Sequence, residues 1–175
     1  MPARSAGVLR MLELCSGENH SWSKAARSLG IECVTLDWSY HCRADLVIDV
    51  REFAKFPDQA GHFDLVCASP DCRCISQCNS AKTPENVQQA CVQIIEHFVA
   101  KGGKGFLENP QGALSRQEWM KAYEHRRSVL DYCKYSSEPS SVVVGARNVQ
   151  KLQDWFPYRK ATSIWTWGDF DWVPR

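Results

Sequence analysis

The sequence predicts one α/β domain whose mostly parallel sheet is covered by helices on both faces, a doubly wound arrangement. Short apolar segments alternate with helical segments, as in repeated strand-helix-strand units. The apolar segments are hydrophobic nearly throughout, as expected of strands that are buried on both faces. A chain of 175 residues can bury one hydrophobic core and is short for two. We therefore expect residues 1–175 to form a single domain.

The first half of the chain is predicted to contain four strands and one helix. Residues 8–15 are apolar and lead into a Ser-Gly turn, which indicates a strand followed by a turn. Residues 21–30 have helical spacing, and Gly30 is placed to end that helix. Three more short apolar segments are predicted as strands, at 31–38, 44–50 and 62–69.

The second half begins with the most regular helical segment. Residues 83–101 place Thr83 at the N-cap and Pro84 at the first helical position, ahead of apolar residues at helical spacing. Residues 103–110 follow as a fifth predicted strand. This order continues the alternation of strands and helices.

The last predicted elements are one helix and two closing strands. Ser115 and Glu118 form the S-x-x-E capping arrangement, which predicts a helix over 115–130. Residues 131–135 and 161–167 are rich in aromatic and β-branched residues and are predicted as strands.

Composition and charge are ordinary for a globular protein. The apolar runs are far shorter than the roughly 20 residues needed to cross a bilayer, so no membrane partner is expected. Nine cysteines at irregular spacings indicate reduced thiols rather than a disulfide framework, which predicts an intracellular protein, cytoplasmic or nuclear. The net charge of +1 neither favours nor excludes a polyanionic partner.

Polar residues follow the predicted strands where a doubly wound sheet binds its ligands. In such sheets, ligands lie at the carboxyl ends of the strands, where the strand order reverses. The residues at these positions are a turn glycine, two acids, a cysteine after Pro-Asp and a glutamate before Asn-Pro: Gly17, Asp37, Asp49, Cys72 and Glu108. We expect them to share one crevice.

The first turn and the two acids are suited to a nucleoside ligand. Gly17 alone does not make a G-x-G-x-x-G fingerprint, although Asn19 tolerates positive φ where a second glycine would be used. Asp37 lies 20 residues after Gly17, where an acid accepts hydrogen bonds from ribose hydroxyls, and Asp49 is placed to accept from an adenine amino group. The alternative for both acids is that each caps the following turn.

In this order, the motifs of the chain resemble those of the S-adenosylmethionine-dependent DNA cytosine-5 methyltransferases, most of all the compact forms found in phages and large viruses. The segments that carry the resemblance are LELCSGENHSWSKAARSLG (12–30), VTLDW (34–38), DLVCASPDCRCIS (64–76), FLENPQG (106–112), and DYCKY (131–135) with YRKATSIWTW (158–167). The resemblance implies a Rossmann-like methyltransferase fold, S-adenosylmethionine as cofactor and DNA as partner.

The resemblance also implies the catalytic residues. The family's Pro-Pro-Cys loop falls on residues 70–72, which makes Cys72 the nucleophile that adds to C6 of cytosine, so that C5 can accept the methyl group. Glu108 matches the glutamate of the family's Glu-Asn-Val motif and would hold the base. Arg159 matches a family arginine that contacts the base carbonyl and the target phosphate region, and Arg73 or Arg159 would favour the thiolate.

The same resemblance implies the cofactor pocket and its support. Trp38 falls at the position of an aromatic residue that stacks on the cofactor, Asn109 would orient the Cys72 loop and Pro110 would stiffen it. The residues expected to line the cofactor are Leu14, Gly17, Asn19, Asp37, Trp38, Asp49 and Pro70.

The chain departs from the family pattern at three points. Asp71 replaces the second proline of the loop and places a negative charge beside the thiol, which disfavours the thiolate. Asn19 replaces the second glycine of the cofactor turn. No target-recognition domain is evident, which leaves base readout to residues 136–157, a possible insertion or small recognition element, or to a partner chain.

Other functions remain open at this point. Cys72, Cys74 and Cys78 have C-x-C-x₃-C spacing, but no matching cysteine or histidine pair supports a zinc site, so no metal is expected. An amino-group methyltransferase would need an aromatic residue where Cys72 stands. The remaining alternatives are an RNA cytosine-5 methyltransferase and a catalytically inactive binding or regulatory subunit. In a duplex target the base must be extruded, and Trp155, Phe156 and Tyr158 are candidates to stack in the gap.

Overall fold

A computed structural model describes residues 7–72, 86–131 and 161–170. Its centre is one seven-stranded sheet with the order β3-β2-β1-β4-β5-β7-β6. The strands are β1 Arg10–Leu14, β2 Glu32–Asp37, β3 Leu46–Val47, β4 Leu65–Ala68, β5 Lys104–Pro110, β6 Arg127–Asp131 and β7 Ala161–Trp167. The first five strands are parallel to one another, and β7 pairs antiparallel with both β5 and β6. The prediction of a mostly parallel α/β sheet is confirmed.

Three α-helices and several 3₁₀ turns connect the described strands. The helices are α1 Ser21–Ser28, α2 Val50–Phe53 and α3 Val87–Val99, and the 3₁₀ turns are Tyr40–Cys42, Pro57–Ala60, Leu114–Arg116 and Glu118–Arg126. Gly30 follows α1 with a φ of +77°, a left-handed conformation that ends the helix as predicted. None of the helices in the described ranges is both long and apolar enough to cross a membrane.

The two faces of the sheet are covered by different helices. On the α1 face, Met11, Ala26 and Cys67 form a small buried cluster, and the Trp22 ring packs edge-on against Phe106 with centroids 4.8 Å apart. The α3 face carries the larger core, in which Ile94 and many other side chains are fully buried. Each such aliphatic or aromatic side chain contributes roughly 1.5–3 kcal/mol through burial, so α3 fixes the sheet more firmly than α1 does.

The strand order reverses between β1 and β4. From β1 the chain moves to β2 and β3 on one side, and it then returns to place β4 on the other side of β1. Leu14 is paired with Leu36 of β2 and with Ala68 of β4, and Ala68 is paired with Leu107 of β5. β1 and β4 end at this level and β2 ends one residue beyond it, whereas β5 continues to Pro110 alongside β7. The segments that follow β1, β2 and β4 therefore meet at the same edge of the sheet.

The prediction of a helix over residues 115–130 is wrong. Ser115 Oγ donates to the carbonyl of Gly112 at 2.9 Å instead of capping a helix, and Met120 N donates to the Gln117 carbonyl three residues earlier. The segment forms two 3₁₀ turns and then joins the sheet as β6, which begins at Arg127. The reason is tertiary: β6 gains a full ladder with β7, and Tyr123 packs against Trp167 with ring centroids 5.5 Å apart.

Other boundaries differ by a few residues. The third strand is reduced to two residues because Asp49 caps α2, which begins directly after it. The helix predicted over 83–101 is present as α3 from Val87, while Thr83 and Pro84 lie outside the described residues. The closing strand predicted at 131–135 starts earlier, at Arg127, and residues 132–135 lie outside the described residues.

Candidate active site

The turn after β1 is built from left-handed residues. Cys15, Gly17 and His20 have φ values of +55°, +59° and +46°. Ser16 N still donates to the Leu36 carbonyl at 3.1 Å, so the chain leaves the sheet only after this bond. Non-glycine residues adopt this region rarely, and they persist there only where the surroundings hold them. One such restraint is the contact of His20 Nε2 with the Cys42 carbonyl at 2.6 Å.

Two buried polar atoms of this turn have no hydrogen-bond partner within the described ranges. They are Ser16 Oγ and His20 Nδ1. A buried polar atom without a partner costs about 1–3 kcal/mol, so such atoms are usually satisfied by a ligand or water. The space above Gly17 is open, since a Cβ there would have no heavy atom within 4 Å. The turn therefore fits a polar ligand at the carboxyl end of β1.

Asp37 joins this turn to the end of β2. Its carboxylate is 7% exposed and accepts hydrogen bonds from Gly17 N and Ser39 N, each at 3.0 Å. Burial, together with the nearby Asp37 carboxylate, raises the pKa of the Cys42 thiol. Because a carboxylate oxygen can accept more than one hydrogen bond, Asp37 keeps capacity for a ligand while it shapes the turn.

The remaining predicted cofactor residues differ in exposure. Trp38 is 76% exposed at the carboxyl end of β2, Asn19 is also exposed, and Leu14 is fully buried beneath the turn. Asp49 accepts from Arg51 N at 2.8 Å and from the Arg51 guanidinium at 2.9 and 2.6 Å, and these bonds lower the pKa of Asp49. The capping alternative considered for Asp49 is thus present in the structure.

The loop after β4 is held by three side chains from three elements. Trp22 Nε1 of α1 donates to Ser69 Oγ at 3.0 Å. Asn109 Nδ2 of β5 donates to the Pro70 carbonyl at 2.9 Å, and Gln88 Nε2 of α3 donates to the Asp71 carbonyl at 2.8 Å. Three successive residues are therefore fixed directly before Cys72. Two of the donors, Trp22 and Gln88, belong to helices that cover opposite faces of the sheet, and Asn109 belongs to the sheet itself.

Cys72 lies in the segment after β4, and Glu108 lies within the neighbouring strand β5, one residue beyond the pairing of β5 with β4. Both side chains are half-buried, and Cys72 is a free thiol. Glu108 comes directly after Leu107, the partner of Ala68 at the end of β4. By contrast, Cys67 and Cys91 are fully buried, and burial raises the pKa of the Cys67 thiol well above its usual value. Among these three cysteines, Cys72 is the one in the loop after β4.

Comparisons with known proteins concern the fold. No family model matches the chain, and no curated protein does. A SAM-dependent methyltransferase from Archaeoglobus fulgidus is similar over 93% of this chain and 87% of that chain, with 13% identity and a TM-score of 0.51. The chain has a methyltransferase fold.

A fibrillarin/Nop5p complex is similar over 97% of this chain and 77% of that chain, with 11% identity and a TM-score of 0.50. A SAM-dependent methyltransferase from Agrobacterium tumefaciens has a TM-score of 0.48 and 12% identity, and the similarity covers 92% of this chain and 56% of that chain.

Three residues of this methyltransferase fold were not identified from sequence as part of the site. Glu13 is 2% exposed and accepts from Trp22 N at 3.2 Å and Ser23 N at 2.9 Å, so a strand residue caps the start of α1. Trp22 and Gln88 hold the Cys72 loop. An acid inside the apolar first strand was the available signal for Glu13, whereas nothing in the sequence marks the two donors.

Several predicted residues lie outside the described residues. These are Arg73, Cys74, Cys78, Trp155, Phe156, Tyr158, Arg159 and the segment 136–157. Within residues 7–72, 86–131 and 161–170, no group of three His, Cys, Asp or Glu side chains is arranged to hold a metal ion.

Proposed function

We propose that this chain transfers a methyl group from S-adenosylmethionine to C5 of cytosine in DNA, with Cys72 as nucleophile. The observation that carries the proposal is the position of Cys72, a half-buried free thiol in the segment after β4, beside the reversal of strand order. Glu108 lies on the neighbouring strand β5, one residue beyond its pairing with β4. In doubly wound sheets this is where ligands bind. The methyltransferase fold and the sequence motifs support the same assignment.

The proposed cofactor site is the turn after β1 and the ends of β2 and β4. When bound, S-adenosylmethionine supplies a methyl group on a positively charged sulfur. The unpartnered Ser16 Oγ and His20 Nδ1 and the open face of Gly17 fit the polar end of such a ligand. Asp37 would accept from ribose hydroxyls, and the exposed Trp38 indole would stack on the adenine. Leu14, Asn19, Asp49 and Pro70 complete the proposed pocket.

The proposed chemistry explains the need for a thiol. The Cys72 thiolate forms a bond to C6 of cytosine, and the electron pair of the C5–C6 double bond becomes available at C5. C5 then forms a bond to the methyl carbon, while the electron pair of the old bond stays on the departing sulfur. Loss of the C5 proton to water restores the double bond and releases the thiolate.

Glu108 is proposed to hold the base during this addition. A carboxyl group at the ring nitrogen and amino group of cytosine favours a proton at N3, which compensates the charge that arrives with the thiolate. Asn109 already fixes the loop that carries Cys72 through its bond to the Pro70 carbonyl. Arg159 is proposed to contact the base carbonyl and the target phosphate region.

One observation favours a second candidate, an inactive binding or regulatory subunit. Asp71 directly precedes Cys72, where the loop that these motifs resemble has a second proline. Such a subunit would bind the cofactor or a nucleic acid without transfer. RNA as the polymer is a further possibility that the same experiment separates. A partner chain that supplies target recognition is compatible with either candidate.

The test is transfer of labelled methyl groups to genomic DNA and, separately, to total RNA, with wild type and Cys72→Ser in parallel. Nucleoside analysis identifies the product, and calorimetry with S-adenosylmethionine provides the binding control. We expect label in 5-methylcytosine of DNA, and a fall of at least about 10³-fold in Cys72→Ser with cofactor affinity unchanged.

Three results would contradict the proposal in different ways. Label in RNA alone would correct the polymer. Transfer that persists in Cys72→Ser would exclude the thiol mechanism. Cofactor binding without transfer to either polymer would support the binding subunit.

A further inference from the structure

Gln88 is a buried polar side chain with a specific contact. It lies in the first turn of α3, is 4% exposed and donates from Nε2 to the Asp71 carbonyl at 2.8 Å across 17 residues of sequence. Burying an amide is unfavourable unless it is hydrogen-bonded, so this bond compensates a desolvation cost of about 1–3 kcal/mol. The oxygen that it binds belongs to the peptide unit that leads into Cys72.

The two amide side chains fix successive peptide planes. Asn109 holds the oxygen of the Pro70–Asp71 peptide, and Gln88 holds the oxygen of the Asp71–Cys72 peptide. Because a peptide unit is planar, its orientation is largely determined once its oxygen and its flanking positions are held. The backbone torsions between the two planes are then restricted, and only φ and χ1 of Cys72 remain to place its Sγ.

The two restraints come from different elements, a helix and a strand that both follow the loop in sequence. Asn109 belongs to β5 and is 1% exposed, whereas Gln88 belongs to the helix that carries the larger core. Trp22 adds a third bond, to the Ser69 side chain, but it does not act on either peptide plane next to Cys72. Gln88 thus binds the carbonyl of the residue that directly precedes the nucleophile.

We propose that Gln88 is a positioning residue for Cys72, acting through the Asp71 carbonyl. This inference rests on the proposed function, in which Cys72 must meet C6 of a base that is itself held in the crevice. Attack by a fixed nucleophile on a fixed carbon is sensitive to displacements of about 1 Å, which cost up to about 10²-fold in rate. A small reagent in solution has no such requirement, since it approaches the thiol from any direction.

The experiment compares wild type with Gln88→Leu, which removes the donor, and with Gln88→Glu, which keeps the shape but places an acceptor against a carbonyl. Gln93→Leu is the matched control because Gln93 is exposed on the same helix. Two reactions are measured for each protein: steady-state methyl transfer to DNA, which gives kcat and the KM for S-adenosylmethionine, and alkylation of Cys72 by iodoacetamide followed by peptide mass spectrometry. Protection of the buried Cys67 and Cys91 from the same reagent reports the folded state.

The expected result is a fall of about 10- to 100-fold in kcat for Gln88→Leu and a larger one for Gln88→Glu. The KM for S-adenosylmethionine, the alkylation rate of Cys72 and the protection of Cys67 and Cys91 stay within about 2-fold of wild type. Gln93→Leu matches wild type in every rate. This split between transfer and alkylation is one that a general loss of stability does not produce.

Two outcomes would overturn the inference. One is a wild-type kcat in either Gln88 variant with Cys67 and Cys91 protected. The other is loss of that protection in both variants, which would make Gln88 a core residue only. Failure of the proposed function looks different, since transfer is then absent from wild type or survives in Cys72→Ser.

Discussion

Two loops leave the same edge of the sheet and are built in opposite ways. The turn after β1 contains three left-handed residues and leaves Ser16 Oγ and His20 Nδ1 buried without partners among the described residues. The loop after β4 has three successive residues, 69–71, each held by a donor from a different element. The starting points are equivalent, because Leu14 and Ala68 are paired in the sheet.

The difference indicates two kinds of site. Unsatisfied polar atoms in a held, open turn are suited to a ligand that completes their hydrogen bonding. A loop whose bonds are already made is suited to hold a reacting group in one position before any substrate arrives. We therefore expect changes in the first loop to act on cofactor affinity and changes in the second to act on the rate of transfer.

Asp37→Ala is expected to show the largest difference between the functions of the two loops, because it should weaken cofactor binding and leave Cys72 unaffected. It removes the acceptor of the Gly17 and Ser39 amides and leaves both without their partner. We expect the Kd for S-adenosylmethionine, measured by calorimetry, to rise about 10- to 100-fold. The reason is the loss of the one or two hydrogen bonds that Asp37 is proposed to accept from the ribose hydroxyls. Alkylation of Cys72 should keep its wild-type rate.

Asp37→Asn is the matched variant, because it keeps one acceptor and the same shape, and it should lose less affinity than Asp37→Ala. An unchanged Kd in a folded Asp37→Ala protein would contradict the assignment of the turn after β1 to cofactor binding. So would a changed alkylation rate at Cys72, because the turn would then act on the second loop.

A smaller effect is expected from Trp22→Phe, which keeps a ring against Phe106 but removes the donor to Ser69. The free energy of unfolding in urea should fall by about 0.5–1.5 kcal/mol for the hydrogen bond, with a further part for the smaller ring. A double-mutant cycle with Ser69→Ala isolates the bond between the two side chains. Additive effects in that cycle would mean that this contact does not stabilise the loop.

The smallest effect is expected at Asp49. Its bonds to Arg51 lower the pKa of its carboxyl group in the folded protein relative to the unfolded chain. Such a group stabilises the fold at pH values above its unfolded pKa, and this contribution is lost as the pH falls through the lower folded pKa. The difference in unfolding free energy between wild type and Asp49→Asn should be present at pH 7 and shrink below about pH 4. A difference that grows on acidification would contradict this.

Local sequence patterns predicted the parallel part of the sheet well. The strands that became β1, β2, β4 and β5 are short, apolar and separated by clear turn or helix signals. The segment 115–130 failed because its capping pattern describes only local preference, whereas β6 is stabilised by pairing with β7, more than 30 residues away in sequence. Long-range pairing of this kind leaves little trace in local spacing.

The candidate site was predictable in part. The rule that ligands bind at the ends of parallel strands is the basis for grouping Gly17, Asp37, Cys72 and Glu108, and this grouping stays a prediction. Within it, the hydrogen bond from Gly17 N to the Asp37 carboxylate joins two of the residues. The role of Gln88 could not be predicted, because no sequence pattern indicates the hydrogen-bond partner of a glutamine in the first turn of a helix. Its contact with the Asp71 carbonyl depends on how α3 packs on the sheet.

The most direct test of the central claim, that Cys72 is the attacking thiolate, is covalent trapping. Wild type and Cys72→Ser are incubated with S-adenosylmethionine and DNA that contains 5-fluorocytosine, and the peptides are analysed by mass spectrometry. Fluorine at C5 does not leave as the proton does, so the bond between sulfur and C6 is retained. We expect a nucleotide adduct on the peptide with Cys72, dependent on S-adenosylmethionine and absent from Cys72→Ser. No adduct from a folded protein that binds the cofactor, or an equal adduct in Cys72→Ser, would contradict the account.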